Sequence, residues 1–274
     1  MTTTEGWVEN GTHRSLRATV HELLAARELV VFFAARDLRV RYKQAVLGVV
    51  WVVVQPIITV LAFTLVFDRL ADINTGGVPY PVFALAGLLG WTYLSQCISK
   101  GSEVLVGNTA LVTKVYFPRL IAPLAALLPP MVDLGVGLVL LFMLCVAYGV
   151  APGLALLLLP LWLALLMLTA LGVTCALAAL NVRFRDVRHL VAPVLQTFLF
   201  LSPVAYSASS LDGLARWVYA LNPAVGVLEL GRFVLVGGPA PDATLAVSVV
   251  VAVLTAVAGI AYFQRASRSF ADVI

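Results

Sequence analysis

Residues 21–25 read HELLA, the opening of a helical zinc motif whose second imidazole would stand at position 25, where the chain has alanine. Such a site needs two histidines one turn apart on the same helix face. With His13, His21 and His189 as its three histidines, the chain has little from which to build a metal centre or a catalytic triad. It also lacks a G-x-x-x-x-G-K-[ST] phosphate loop, a G-x-G-x-x-G turn after a strand-like run and a G-x-S-x-G elbow. The expectation is a chain that is not an enzyme and carries no cofactor or metal of its own.

Two charged residues stand out because their surroundings are apolar. Asp133, in PPMVDLGVG, lies about a dozen residues into an apolar run, where a lone carboxylate costs several kcal/mol unless paired or wet. Lys100, near the end of the preceding run, has a side chain long enough to be its partner. A packing ion pair and a role in a transport path weigh equally. A proton relay would need more groups of this kind than the chain supplies.

The surrounding composition explains why so few charges occur. Of 274 residues, 61% are hydrophobic and 12% charged, with a mean hydropathy of +1.00; soluble domains carry about a quarter charged residues. This is the composition of a chain dissolved in lipid. Six apolar runs of spanning length fall near 46–67, 81–104, 121–148, 156–180, 190–206 and 243–263. The expected fold is therefore an all-α polytopic membrane protein, with residues 1–45 as an N-terminal segment and 46–274 as one six-span domain. YGVAPG, with Gly149, Pro152 and Gly153, marks a tight turn between the third and fourth runs. Cys97, Cys145 and Cys175 sit inside apolar runs at unequal spacing and are expected to be buried thiols.

Cations set the orientation. The N-terminal segment, the 105–120 loop, the 181–189 loop and the C-terminal tail together hold fourteen of the eighteen Lys and Arg residues. All four segments fall on one side of a six-span path, so the positive-inside rule places both termini in the cytoplasm. The N-terminus lacks the charged and apolar regions of a cleaved signal, and the first span is expected to act as the insertion signal. Residues 15–35 repeat Leu16, Val20, Leu23 and Leu24 at helical spacing, as an amphipathic helix in the membrane interface would; a helix packed on the protein is the alternative. Arg36, Arg39, Arg41 and Lys43 follow at once. The long connection 207–242 holds two short apolar stretches broken at Asn222-Pro223, expected to be re-entrant helices at the outer mouth of a pathway.

The motifs RDLRVRYKQAVLGVVWVVVQP (36–56), NTALVTKVYFPRLIAPLA (108–125), NVRFRDVRHLVAPVLQTFLFLSPVAYS (181–207), LNPAVGVLELGRFVLVG (221–237) and the terminal FADVI occur in order along nearly the whole chain from about residue 30. This set resembles the membrane subunit of ATP-binding-cassette polysaccharide exporters, permeases for O-antigen, teichoic acid, capsule or galactan precursors. The resemblance implies a homodimer with two separate ATPase subunits, which would bind ATP and Mg, and a lipid-linked glycan as cargo. No nucleic-acid partner is expected.

The same resemblance assigns roles to residues. Lys114, Val115, Tyr116, Phe117, Pro118 and Arg119 match the coupling helix that docks on the ATPase, with Arg183, Arg185 and Asp186 as a secondary contact. Membrane-surface insertion is the alternative for that aromatic loop. Arg36, Arg39, Arg41 and Lys43 would lie beside a lipid phosphate at the substrate entry, where each cation contributes about 1 kcal/mol, or would enforce topology; the two roles are compatible. Asn222, Pro223, Glu229 and Arg232 correspond to an external gate. Trp51, Trp91, Tyr93, Phe198, Phe200 and Tyr206 are candidates for a glycan path, against the ordinary roles of aromatics in packing and the interface belt. A drug or lipid exporter, a membrane-embedded transferase and a channel or carrier are the competing functions. The transferase would need a cluster of acidic or histidine residues that is missing, and the coupling-like loop argues against the carrier.

Overall fold

The computed structural model describes residues 26–43, 48–68, 75–108, 118–240 and 242–270. Among these residues the regular structure is helical throughout: α1 (Arg27–Lys43), α2 (Gly48–Phe63), α3 (Tyr80–Glu103), α4 (Ile121–Ala126), α5 (Leu128–Tyr148), α6 (Leu159–Arg183), α7 (Val187–Phe200), α8 (Gly213–Tyr219), α9 (Pro223–Val236) and α10 (Ala243–Ala266). Among the described residues, five stretches are long and apolar enough to cross a membrane: Val50–Phe67, Tyr80–Glu103, Ile121–Tyr148, Leu154–Arg183 and Ala243–Ala266. The bent pair α8 and α9 makes a sixth if taken as one span.

Prolines and glycines set the boundaries. Proline occupies a first-turn position of α3, α5, α6 and α9, where its missing N–H has no helical partner to lose. At the far end of α5, Gly149 turns left-handed at φ 69° and closes the helix, which realises the tight turn expected from YGVAPG. At the other end of that span α4 and α5 meet at Leu127, so the third apolar run is a helix interrupted at one residue.

The core centres on α3. Its spanning window is 78% buried, and α5, α6 and α9 pack around it. Lipid offers helices no hydrophobic incentive to associate, so close packing and internal polar bonds must hold them. Both are present. α6 and α10 form the most extensive helix pair, and they meet backbone to backbone where a Cβ added at Gly259 would collide with the Gly172 carbonyl. Trp162 of α6, fully buried, donates its indole N–H to the Val227 carbonyl of α9 at 2.9 Å. Cys97, Cys145 and Cys175 are all buried free thiols, as their apolar settings predict.

Three differences from the sequence expectations concern the site. The segment marked as a fifth span at 190–206 forms a helix only over Val187–Phe200, and 201–207 leaves helical geometry. The helix expected to end at residue 35 continues through the cationic cluster to Lys43, and its apolar residues do not form a single stripe: Ala34 is buried while Val31, Phe32 and Val40 are exposed. Residues 15–25 and the HELLA segment lie outside the described residues. Lastly, α2 and α7 are the least buried of the longer apolar helices; the window containing α2 is 6% buried, and α7 contributes Val191 alone to the core.

Candidate functional site

Two polar assemblies interrupt the apolar bundle, one at each end. At the first, α1 lies against α4 and the facing parts of α3 and α5. Helical pitch sends Arg41 and Tyr42 inward and leaves Arg39 and Lys43 exposed. The Arg41 guanidinium stands 2.5 Å from one Asp133 carboxylate oxygen, the Tyr42 hydroxyl donates to the other at 2.5 Å, and Arg41 also donates to Gln96 at 3.1 Å. One acid on α5 thus meets a cation and a hydroxyl donor from α1, with α3 as a third party. Asp133 is 8% exposed, so both contacts are made largely out of water, where a carboxylate without partners is costly. Burial and the hydrogen bond to Asp133 push the Tyr42 hydroxyl up to about 12.

The ion contact of Asp133 is therefore with Arg41, where the sequence offered Lys100 as a possible partner. Lys100 lies further along α3, where it lines a cavity with Arg36, Asp37 and Glu103. The nearer cation in space comes from a different helix, which chain order does not reveal. Arg36 pairs with its neighbour Asp37 at 2.8 Å and stacks over Phe33. The four cations of the 36–43 cluster therefore divide: Arg41 is committed to the bundle, Arg36 is locally paired, and Arg39 and Lys43 rim an open groove with Phe32, Ala35 and Val40.

The second assembly is at the opposite end, where α8 and α9 meet at 98° across Asn222-Pro223. The Asn222 side chain accepts from Ala224 N–H at 3.0 Å, capping α9, and its amide donates to Ser202 at 3.0 Å. Arg232, on α9, is completely buried. Its guanidinium donates to the carbonyls of Pro203, Val204 and Tyr206 and to Glu229, and lies 4.0 Å over the Phe83 ring of α3. Glu229 in turn accepts from Ala208 N–H at 3.0 Å. The backbone after α7 has lost its helical bonds where residues 202–205 are buried, and buried carbonyls without partners are costly. Arg232 supplies the donors. Tyr206 and Tyr219 share a 2.9 Å hydroxyl contact and stack, tying this segment to α8.

The remaining predicted residues fall into three groups. Trp51, Phe198 and Phe200 are exposed on α2 and α7. Trp91 and Tyr93 are core residues, 8% and 1% exposed, and a ligand would reach them only by opening the bundle; Tyr206 is half-buried. Lys114, Val115, Tyr116 and Phe117 lie outside the described residues, while Pro118 and Arg119 follow them at the start of α4, with Arg119 over the Phe270 ring at 5.8 Å. Arg183, Arg185 and Asp186 are exposed at the α6–α7 connection. Tyr42, Gln96, Phe83 and Ser202 were not singled out by sequence. Tyr42 and Ser202 adjoin residues or breaks that were, but neither spacing nor composition marks any of the four as a contact.

A set of apolar helices of spanning length with a sharply bent pair before the last of them is the architecture of a multi-pass membrane protein. The chain belongs to the ABC-2 type transporter membrane family, whose model matches residues 28–236. It is 30% identical over 258 residues to the O-antigen export system permease protein RfbA of Myxococcus xanthus, covering 93% of this chain and 98% of that protein. Two Klebsiella pneumoniae proteins of the same name are 21% and 20% identical over 254 residues, each covering 90% of this chain and 95% of theirs.

Proposed function

We propose that this permease exports a lipid-linked polysaccharide, working as a homodimer with two copies of a separate ATPase subunit that bind ATP and Mg. The near full-length similarity to O-antigen export permeases supports the cargo class. One geometric observation carries the pathway: Gln55 of α2 and Gln196 of α7 expose their amides on the two least buried apolar helices. Acyl chains give an amide no partner, at a cost of about 2–7 kcal/mol. These faces are suited to a second copy and a polar cargo rather than to lipid. Trp51, Phe198 and Phe200, exposed on the same helices, offer flat apolar rings to sugar faces.

The remaining parts follow the distribution of charge. Fourteen of eighteen cations lie toward one side of the spans, which supports a bacterial inner-membrane protein with both termini cytoplasmic. Arg39 and Lys43, beside Phe32 and Val40, suit a lipid phosphate with its hydrocarbon chain at the substrate entry, and Arg36 borders the same groove. The loop carrying Lys114, Val115, Tyr116, Phe117, Pro118 and Arg119 docks on the ATPase, with Arg183, Arg185 and Asp186 beside it. The α8–α9 hairpin, through Asn222, Pro223, Glu229 and Arg232, forms the external gate.

Affinity capture of the chain from its native membrane tests the energy source. A phosphate-loop ATPase should accompany the wild type and be lost on Phe117→Asp. If captures that preserve other membrane complexes yield no ATPase, the exporter reading fails.

A further inference from the structure

A cavity of about 190 Å3 lies between α1, the end of α3 and the α4–α5 junction. Arg36, Asp37, Lys100 and Glu103 form its charged wall, and Ala126 and Pro129 lie on its apolar side. It has room for on the order of ten waters, far too little for a polysaccharide but enough for a small polar headgroup.

Its charges are of both signs, and two of the four form a contact ion pair. Arg36 and Asp37 pair with each other. Lys100 and Glu103 stand three residues apart on α3, both exposed, and among the described residues neither takes part in an ion pair. An anion bound at Lys100 would leave Glu103 facing like charge, and a simple cation at Glu103 would face Lys100. A ligand carrying a phosphate and a primary ammonium on a short linker meets both. The carboxylate of Glu103 only accepts hydrogen bonds and a primary ammonium has three to donate, whereas a quaternary ammonium has none.

The cavity's position indicates the source. It opens where the apolar windows of α3 and α5 give way to charge, the depth at which bilayer headgroups lie, and Phe32 and Val40 leave an exposed apolar strip on the adjoining face of α1. We propose that this cavity binds the phosphoethanolamine headgroup of a membrane phospholipid. The bound lipid would fill the gap beside the Arg41–Asp133 contact and hold α1 on the bundle. The site adjoins the exposed groove of Arg39 and Lys43, with Arg36 on the wall of both, and does not depend on what the permease exports.

Native mass spectrometry of the delipidated full-length chain, titrated with phospholipids of identical acyl chains, tests this. Phosphatidylethanolamine should be retained about tenfold more tightly than phosphatidylcholine or phosphatidylglycerol, the difference expected from one charge-assisted hydrogen bond. Glu103→Gln should bring phosphatidylethanolamine down to the phosphatidylcholine level, and Lys100→Gln should weaken it as well. Free phosphoethanolamine in excess should displace the lipid only weakly if the bilayer is the source; complete displacement would make a soluble phosphate ester the ligand and overturn the lipid assignment. Equal retention of the three lipids, no retention at all, or full retention by Glu103→Gln would also overturn it. The comparison of headgroups on the wild type stands even if a variant fails to fold.

Discussion

Arg41 and Asp133 join α1 to the third span through a 2.5 Å ion contact, the one described link in which a cation of the 36–43 cluster reaches a bundle acid. Removing one partner of such a pair strands the other, at about 3–5 kcal/mol when fully buried. Arg41 keeps 25% of its side-chain exposure, so screening lowers the figure to about 2 kcal/mol. Asp133→Ala should destabilise the protein by that amount, and Asp133→Asn by less, since its carbonyl still accepts from Tyr42. A double-mutant cycle with Arg41→Ala, followed by thermal unfolding in detergent, should give a coupling of about 1 kcal/mol or more. Additive effects would show that the contact does not hold α1.

Tyr42 makes that attachment sensitive to alkali. Its hydroxyl, ordinarily near 10.0, is pushed up to about 12 by burial and the hydrogen bond to Asp133. The folded state therefore holds the proton more tightly than the unfolded chain does. The resulting stability is fully present below pH 10 and is lost as pH rises from there through about 12. Unfolding temperatures measured across that window should fall less for Tyr42→Phe than for the wild type.

Arg232 should tolerate no replacement. Lysine keeps the charge but not the planar fork that serves three carbonyls and Glu229 together. Arg232→Lys should cost about 2 kcal/mol and Arg232→Ala about 3–5 kcal/mol. Protease sensitivity of the 201–212 segment should rise with both, and more with alanine. Unchanged protection would mean that the broken backbone is held by something other than this guanidinium.

The α6–α10 seam depends on the absence of a side chain. Gly259→Ala places a Cβ against the Gly172 carbonyl, and overpacking of this kind costs about 1–3 kcal/mol. Gly135, whose added Cβ would meet nothing within 4 Å, is the control: Gly135→Ala should leave thermal stability unchanged or raise it slightly.

Much of this architecture is legible in the residues because the bilayer reduces folding to length and polarity. Proline and glycine punctuation placed α3 and α10 within a few residues of their observed ends, and the break at Asn222-Pro223 announced the hairpin. The fifth apolar run misled because its length came from LSPVAYS, residues apolar enough to read as span but folded as non-helical backbone around Arg232. Asp133 was recognisable as a buried acid; its partner was not. Choosing Arg41 over Lys100 requires knowing that α1 lies across α5, and that placement is a three-dimensional fact carried by no local spacing. That Trp91 and Tyr93 are core residues was hidden for a similar reason, since α3 is largely buried and periodicity does not say which helix is central.

The central claim is ATP-driven movement of a lipid-linked polysaccharide through a pair of these chains. Its most direct test is reconstitution of the permease with its ATPase in vesicles loaded with the glycolipid on the nucleotide-accessible face, reading the glycan's arrival on the other face with an impermeant lectin. Transfer that requires ATP, stops with a hydrolysis-deficient ATPase and fails when Gln55 and Gln196 are both changed to leucine is the predicted result. Transfer without nucleotide, or ATP-dependent movement of a simple phospholipid or hydrophobic drug with the polysaccharide left behind, would contradict it.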